Sequence, residues 1–273
     1  MIPLRKEHIN NFKTKLSLKS EQTQETYFLI VDKFLRYVKN DLSTNNVIKF
    51  FTTISKNSIH TTFYAIRFFY NSTGIPFDLK IGDIATKETI QRVRESFNPE
   101  EVNAFIKSAK LYGGIIDIGY AVISTIYGAR RKEIYNIESK DIAEDISTVK
   151  IHTLKGGQDR VHIIPEEIKE IVKDLRYGLT RIKKKPVVTA LNMMFDNLCH
   201  KGGIELRPRV GWHSNRRSLI SELMMTDINP AIIRDFLRWK TRESDILMNY
   251  TIFNPERVDK IIFEKHPFLK YWK

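Results

Sequence analysis

Two arginines, one histidine and one tyrosine in this chain have the functional groups for metal-free attack on a phosphodiester. Arg130 lies in the first half, His213 and Arg216 lie three residues apart, and Tyr250 follows 34 residues after Arg216. A phosphodiester gains negative charge on its non-bridging oxygens during attack, and planar guanidinium groups bind such oxygens through paired hydrogen bonds. A tyrosine hydroxyl is a nucleophile that can form a covalent intermediate. The four residues therefore predict strand-transfer chemistry on a phosphodiester backbone.

The chain carries a strong positive charge that is spread along its length. Lysine and arginine number 45 against 32 aspartates and glutamates, which gives a formal net charge of +13. A basic balance of this size favours a polyanionic partner, although composition alone does not distinguish DNA from RNA. The 42% of hydrophobic residues is enough for one large core or two smaller ones.

Composition also excludes several classes of site. Cys199 is the single cysteine, which excludes an internal disulfide and a cysteine-rich zinc site, and its apolar surroundings predict a buried thiol. The other histidines lack metal-ligand spacing and no acidic cluster is present, so we expect neither a metal nor a cofactor. No apolar run reaches the ~20 residues of a membrane span, and residues 1–8 lack the apolar core of a signal peptide. We therefore expect an intracellular, cytoplasmic protein without membrane contact.

Helical periodicity organises the N-terminal part of the chain. Apolar residues between positions 26 and 38 follow helical spacing, with lysine and arginine on the polar side. A second helix is predicted from Ser58 to Gly74, because glycine commonly ends helices. The charged stretch 77–97 has weak periodicity, which is typical of a linker. We predict a small helical domain over 1–76.

A second domain is predicted to begin at residue 98. Asn98 is a favourable helix N-cap, and Pro99 suits the first helical position. Segments 149–154 and 160–164 alternate as strands around a glycine-containing loop, which predicts a β-hairpin. The expected fold class is mainly α with a small β-hairpin, in two domains with the second over 98–273.

With these elements placed, the chain resembles the tyrosine recombinase family of phage-type integrases and Xer-type resolvases. Segment 127–134 (YGARRKEI) is similar to the family's first arginine box, T-G-x-R-x-x-E-[LI], and segment 213–216 (HSNR) is similar to its second box. A tryptophan stands at the position of the third-box histidine or tryptophan, and a hairpin lysine precedes a glycine. The resemblance implies a helical core-binding domain followed by a catalytic domain. The site residues that it implies are Arg130, Lys155, His213, Arg216, Trp239 and Tyr250.

The resemblance gives four of these residues a direct part in the reaction. Tyr250 would attack the scissile phosphate and form a 3′-phosphotyrosyl bond, while Arg130 and Arg216 would bind the non-bridging oxygens. Lys155 would protonate the leaving 5′-oxygen, and the alternative is an ordinary solvated loop lysine.

The other members have supporting parts. His213 would act as a base, a proton relay or an orienting donor. Trp239 cannot exchange protons, so it would donate a hydrogen bond to the phosphate or serve only as a core side chain. Glu133 and Asp141 are expected to hold arginines in place.

Three departures from the family pattern bear on these assignments. Tyr127 replaces a threonine or serine, segment 238–240 (RWK) replaces the common Gly-His-Ser, and the interval from Trp239 to Tyr250 is two residues longer than usual. A nucleophile must approach the phosphate to within about 3–3.5 Å, so the longer interval leaves open delivery of Tyr250 within one subunit or to a neighbour.

The expected partner is double-stranded DNA. Apolar positions in segment 255–273 are costly when exposed, so the segment is expected either to cover its own core or to dock on a neighbour. The resemblance implies docking on the next protomer of a homotetramer on paired DNA sites. The predicted DNA-backbone contacts are Lys33, Arg36, Arg67, Lys183, Lys184 and Lys185.

The function predicted from these residues is site-specific DNA recombination, in integration, excision or dimer resolution. One alternative is a type IB-like topoisomerase, which relaxes DNA with little sequence preference. The other is a sequence-specific DNA-binding protein whose recombinase-like site no longer cuts, an alternative suggested by the longer interval before Tyr250.

Overall fold

The computed structural model describes most of the chain as two compact units. The units span Met1–Val93 and Arg94–Lys273. Helices dominate both, and the described part of the chain contains a two-stranded antiparallel sheet. The predicted fold class, mainly α with a small hairpin, is confirmed. The described residues are 3–39, 41–84, 95–153, 159–182, 187–239 and 254–273.

The first unit packs its helices around an aromatic core. Phe34, Phe50, Phe63 and Phe69 are each at most 1% exposed. The last helix stops at Gly74, whose φ of 75° is the left-handed conformation that glycine adopts without strain. The sequence predicted this end correctly. The helices are α1 (Lys6–Leu16), α2 (Glu21–Val38), α3 (Thr44–Thr52) and α4 (Ile59–Thr73).

Part of the predicted linker packs on the first unit. Phe77 and Leu79 are partly buried against its core, and a 3₁₀ turn follows at Ile81–Asp83. The ring centroid of Phe77 lies 5.1 Å from that of Tyr70. The predicted domain limits at residues 76 and 98 stay predictions, since residues 85–94 lie outside the described part of the chain.

The second unit begins with a well-formed helix cap. Asn98 Oδ1 accepts the N–H of Glu101 (2.8 Å), while the Glu101 carboxylate accepts the N–H of Asn98 (2.9 Å). Pro99 occupies the first helical position, as the sequence predicted. The elements are α5 (Pro99–Tyr112), α6 (Ile115–Tyr127), α7 (Arg131–Asn136), β1 (Thr148–Ile151), β2 (Arg160–Ile163), α8 (Lys169–Arg181), α9 (Ala190–Lys201), α10 (Trp212–Met224), α11 (Pro230–Phe236) and α12 (Pro255–Glu264).

Helix α6 forms the centre of the second unit. Residues 119–127 are all buried, and α8 packs along the helix. This close packing requires glycine at 119, because an added Cβ would lie 2.6 Å from Leu175. The C-terminal end of α6 at Tyr127 is thereby fixed in the core, and the candidate site begins directly after it.

The hairpin has an unusual inward face. Thr148 pairs with Ile163, and Ile151 pairs with Arg160. In β2, Arg160 and His162 are buried, whereas Val161 between them is 47% exposed. The strand therefore places its polar side chains in the unit and its valine outside, and these buried polar groups require partners.

The C-terminal segment packs in cis. Val258, Ile262, Phe268 and Trp272 are each at most 2% exposed and belong to the core of the second unit. Trp272 Nε1 donates to Thr125 Oγ1 (3.0 Å). The sequence left open whether these apolar positions cover their own core or dock on a neighbouring protomer. The structure packs residues 254–273 on their own unit, and a further contact of the segment with a neighbour stays a prediction.

Trp272→Ala is expected to destabilise the second unit. The change removes a buried indole and leaves a cavity, which costs about 3–5 kcal/mol for a large aromatic side chain. Urea unfolding followed by circular dichroism should show a lower midpoint for this unit. Met225→Ala is the matched control, because Met225 is 88% exposed, and its midpoint should not move. An unshifted midpoint for Trp272→Ala would show that the packing of Trp272 on its own unit does not contribute to the stability of that unit.

Candidate active site

The first part of the site is the turn that follows α6. Gly128 has a φ of 56°, and an added Cβ would lie 2.9 Å from Leu237, so only glycine fits this turn without strain. Arg130 is the N-cap of α7. Its N–H donates to Glu133 Oε2 (2.9 Å), and its Nη1 donates to Glu133 Oε1 (2.5 Å). Glu133 is fully buried, so it holds the Arg130 guanidinium in place, as the sequence predicted.

Arg216 on α10 joins this turn to the end of α11. Its Nη1 donates to the carbonyl of Gly128 and its Nη2 to the carbonyl of Leu237, each at 2.6 Å. Burial, together with the neighbouring charges of Arg238 and Arg130, lowers the pKa of Arg216 to about 9. The guanidinium therefore still carries its charge at neutral pH. Among the described residues, no acceptor is seen for its remaining N–H groups, which can therefore bind an anion.

His213 lies one helical turn before Arg216 on α10. Residues three apart on a helix share a face, so the ring is directed to the same side as the guanidinium. Partial burial lowers the pKa of His213, and the charges of Arg130, Arg216 and Arg217 lower it further. The imidazole is therefore neutral at pH 7 and can accept a proton.

The cluster has an excess of positive charge. Arg130 and Arg238 both form ion pairs with Glu133, and Arg216 lies close to both arginines. Three guanidinium groups and one carboxylate leave a net charge of +2 among these four residues. An anion such as a phosphodiester would balance this charge.

Trp239 lies on the edge of the cluster. It is 38% exposed, and its ring centroid lies 5.9 Å from Cζ of Arg216. This distance is within the range of a cation–π contact. The ring therefore packs on the guanidinium while part of its surface faces solvent.

An open cavity of about 440 Å³ lies beside His213. Arg131 lines it and donates from Nη1 to Asn192 Oδ1 (2.9 Å). Its other basic lining residues are Arg209 and Arg217. The surface next to the cluster is therefore basic as well, which suits a polyanion.

His152 connects the two ends of the hairpin loop to each other and to Asp141 through hydrogen bonds. His152 Nε2 lies 2.9 Å from Asp141 Oδ1, and its Nδ1 lies 2.7 Å from Asp159 Oδ2. The hydrogen bonds to Asp141 and Asp159 raise the pKa of His152. Asp159 Oδ1 also accepts the N–H of Thr153 (2.9 Å). Asp141 thus holds a histidine, and the prediction that it holds an arginine is wrong.

Four of the six predicted site residues lie in the same part of the second unit, and the other two lie outside the described residues. Arg130, Arg216 and Trp239 are linked as above, and His213 lies on the same side of α10. Lys155 and Tyr250 lie outside the described residues, so their roles stay predictions, as do those of Lys183, Lys184 and Lys185.

The basic residues predicted for DNA contact in the first unit are exposed. Lys33 and Arg36 lie on α2, and Arg67 lies on α4. Arg36 forms an ion pair with Asp32 (2.5 Å) one turn earlier on the helix. Exposed side chains of this kind can reach a phosphate backbone, and their role stays a prediction.

The sequence interpretation missed Arg238 and His162. Arg238 is 3% exposed and has a φ of 57°, while His162 is completely buried. One signal was present for Arg238, because the family's common Gly-His-Ser has glycine at this position. No comparable signal marked His162, since a histidine in an alternating strand is usually placed on the solvent face.

The described residues show neither a metal-binding cluster nor a membrane-spanning helix. They contain no group of three or more His, Cys, Asp or Glu side chains that could hold a metal ion. None of their helices is both long and apolar enough to cross a membrane. Cys199 is buried, as predicted.

The chain is similar to known recombinases over most of its length. The tyrosine recombinase XerA of Thermococcus kodakarensis is 22% identical over 260 residues, covering 85% of this chain and 86% of that protein. A lambda integrase dimer bound to a COC′ core site has a TM-score of 0.66 at 12% identity, covering 90% of this chain and 78% of that one. The XerH site-specific recombinase bound to a palindromic difH substrate has a TM-score of 0.65 at 16% identity, covering 90% and 79%. No protein-family model matches the chain.

Proposed function

We propose that the chain is a member of the tyrosine recombinase and integrase family, which its similarity to known members supports, and that it is a site-specific DNA recombinase that cleaves and rejoins DNA through a 3′-phosphotyrosyl intermediate. The observation that carries the proposal is the cluster of Arg130, Arg216 and Arg238 around the single carboxylate of Glu133, next to a neutral His213. Its excess positive charge matches the charge that a phosphodiester gains during attack.

In the proposed reaction the scissile phosphate lies between Arg130 and Arg216. The hydroxyl oxygen of Tyr250 attacks phosphorus while the bond to the 5′-oxygen breaks. The phenol proton passes to neutral His213 or to solvent, and Lys155 protonates the leaving 5′-oxygen. Rejoining reverses these steps, with a 5′-hydroxyl attacking the phosphotyrosyl bond. The bond energy is conserved, so no nucleotide cofactor is needed.

The test begins with selection of a binding site. Duplexes retained by the protein from a random-sequence library are sequenced, and a common sequence is made as a duplex, here called the selected duplex. A nick near the cleavage position lets the short 5′-hydroxyl fragment escape, which traps the covalent adduct. The proposal expects an adduct on a denaturing gel and a tyrosyl-linked DNA fragment by mass spectrometry. Failure to select any sequence, or binding without an adduct, contradicts it.

The same experiment separates the alternative functions. A type IB-like topoisomerase would relax supercoiled plasmid without the selected sequence. A DNA-binding protein that no longer cuts would select a sequence and leave the nicked duplex free of adduct. Recombination between two plasmid copies of the selected sequence is the outcome that our proposal expects.

The proposed partner is double-stranded DNA bound by more than one protomer. The lambda integrase similar to this chain is a dimer on DNA, which supports this assembly. Residues 254–273 pack on their own unit, and the part of this segment in the protomer contact stays a prediction. Lys33, Arg36, Arg67 and the run 183–185 are proposed to contact phosphates, and such contacts add affinity without sequence preference.

Adduct formation is expected to survive EDTA. In the proposed mechanism guanidinium groups balance the charge that metal ions balance in two-metal nucleases. The rate of adduct formation on the selected duplex should be equal with EDTA and with added Mg²⁺ at matched ionic strength. A strict requirement for Mg²⁺ would contradict the proposed metal-free mechanism and would leave the selection of a binding sequence unaffected.

A further inference from the structure

Arg238 is an arginine in a backbone conformation that favours glycine. Its φ is 57°, and only 3% of its surface is exposed. A non-glycine residue in this region is strained, and the strain persists only where surrounding contacts hold it. A long cationic side chain is also costly to bury without partners. The contacts of the guanidinium must therefore offset both costs.

The guanidinium of Arg238 joins three elements. Its Nη1 lies 2.8 Å from His162 Nε2 on β2. Its Nη2 donates to the Tyr127 carbonyl at the end of α6 (3.1 Å) and to Glu133 Oε2 on α7 (3.3 Å). Glu133 in turn holds Arg130. The carboxylate of Glu133 therefore bridges Arg238 and Arg130, and Arg130 is one of the two arginines proposed to bind the phosphate.

The partners of His162 fix its tautomer. Its Nδ1 lies 3.1 Å from Asp259 Oδ1, and a carboxylate only accepts, so Nδ1 carries the hydrogen. Its Nε2 faces Arg238, which only donates, so Nε2 is the acceptor. Burial lowers the pKa of His162 to about 4, which keeps the ring neutral at pH 7. The hydrogen bonds thus form one continuous row that runs from Asp259 through His162 and Arg238 to Glu133.

Asp259 anchors the far end of this row. It is fully buried on α12, accepts the N–H of Ile163 (2.8 Å), and pairs with Arg160 (2.9 Å). In the sequence α12 begins five residues after Tyr250. The row therefore connects α12, which follows Tyr250 in the sequence, to Glu133, which holds Arg130.

Arg216 and Arg238 also connect the same two segments of backbone. Arg216 donates to the carbonyls of Gly128 and Leu237, and Arg238 donates to those of Tyr127 and Phe236. The two guanidinium groups thus fix the turn before Arg130 to the chain that leads into the tryptophan of the site.

We propose that Arg238 is a positioning residue for strand cleavage, which aligns Arg130 through Glu133 and fixes the turn at Tyr127–Gly128 against the segment that precedes Trp239. This inference rests on the proposed function, in which Arg130 binds the scissile phosphate. Arg238 itself does not touch the DNA. It acts on the rate of cleavage by holding a group that does.

The first test needs no DNA. Burial lowers the pKa of His213, and the charge of Arg130 lowers it further, so this pKa reports where Arg130 lies. Arg238→Gly removes the guanidinium and relieves the backbone strain. NMR titration of His213 should then show a raised pKa, because Arg130 leaves its place. The charged groups that face His213 are Arg130, Glu133, Arg216 and Arg217.

Lys39→Gly is the matched control for this variant. Lys39 also has a left-handed φ, 47°, and the substitution also removes one positive charge, but the side chain is exposed. The His213 pKa should not change in this control. An unchanged His213 pKa in folded Arg238→Gly overturns the proposal, whatever the protein does with DNA.

The second test measures cleavage on the selected duplex. Small displacements of a positioning group cost on the order of 100-fold in rate. Arg238→Gly is therefore expected to form adduct about 100-fold more slowly at saturating duplex, with unchanged affinity, whereas Lys39→Gly keeps the full rate. A full rate for Arg238→Gly overturns the proposal and leaves the proposed recombinase function standing. Absence of adduct in the unmutated protein instead overturns the proposed function.

A double variant covers the case in which Arg238→Gly does not fold. Arg238→Gly with Glu133→Gln removes both members of the buried ion pair, so no unpaired carboxylate remains. If Arg238 acts through Glu133, the double variant loses little more cleavage rate than Glu133→Gln alone. A further loss of about 100-fold beyond that of Glu133→Gln would show that Arg238 acts independently of Glu133 and would overturn the proposal.

Discussion

Tyr250→Phe should bind the selected duplex with unchanged affinity and form no covalent adduct. The substitution removes one oxygen atom and keeps the ring, so the contacts that bind DNA are retained while the nucleophile is lost. The loss should be complete, because a phenyl ring cannot form a phosphoester. Gel shift gives the affinity, and a denaturing gel of the nicked selected duplex gives the adduct. The adduct of the unmutated protein should map to Tyr250 by mass spectrometry.

Tyr271→Phe is the matched control for this experiment. Tyr271 is the other late tyrosine, and its ring stacks on Phe268 at a centroid distance of 6.4 Å in the C-terminal segment. The control should form adduct at the full rate. An adduct that persists in Tyr250→Phe, or one that disappears in Tyr271→Phe, would move the nucleophile away from Tyr250.

Local signals predicted the elements that depend on local chemistry. The start of α5 follows from Asn98 and Pro99, because a cap satisfies backbone donors within four residues. The end of α4 follows from Gly74 for a similar reason. The hairpin was predicted in the right place: β2 begins at Arg160 as predicted, whereas β1 ends at Ile151, three residues earlier than predicted. Such features need no knowledge of distant residues.

Features that depend on distant residues could not be read from the chain. Alternation in β2 favours Val161 inside and its polar neighbours outside, yet Arg160 and His162 are the buried residues. The reason is Asp259, almost a hundred positions later, which supplies the acceptor that both need. A pattern of single residues contains no information about such a partner.

The C-terminal segment shows the same limit for apolar side chains. Its apolar spacing predicted correctly that it must be covered, because exposed apolar surface of this size is costly. The spacing does not say which surface covers it. Contacts such as that of Trp272 with Thr125 show that its own unit covers it, and they depend on residues far away in the sequence.

For the candidate site, the sequence predicted the arginines and the histidine but missed Arg238, which is proposed to hold Arg130 in place through Glu133. Arg130, His213 and Arg216 were found because their spacing resembles known boxes. Arg238 was noted only as part of the segment that replaces the family's Gly-His-Ser, and nothing in its neighbours suggests burial. Its role becomes visible only when Glu133 and the row beyond it are brought together in space.

Arg216→Ala should lose cleavage by about 1,000-fold while DNA affinity falls far less. The charge that Arg216 balances grows as the phosphate is attacked, so its removal affects the transition state more than the bound state. The substitution should also lower stability, because the carbonyls of Gly128 and Leu237 lose their donor. An unsatisfied buried carbonyl costs about 1–3 kcal/mol. Adduct rates at saturating selected duplex and urea midpoints measure the two effects separately.

Arg130→Ala separates the chemical part of this loss from the structural part. The side chain of Arg130 is 26% exposed, and its partner Glu133 keeps a second cation in Arg238. Arg130→Ala should therefore lose cleavage to a similar extent with a smaller change in the urea midpoint. Arg216→Lys should recover part of the stability but little of the rate, because an ammonium group cannot bridge two acceptors in the fixed geometry of a guanidinium. Equal losses of affinity and cleavage in both alanine variants would make the two arginines ordinary phosphate anchors.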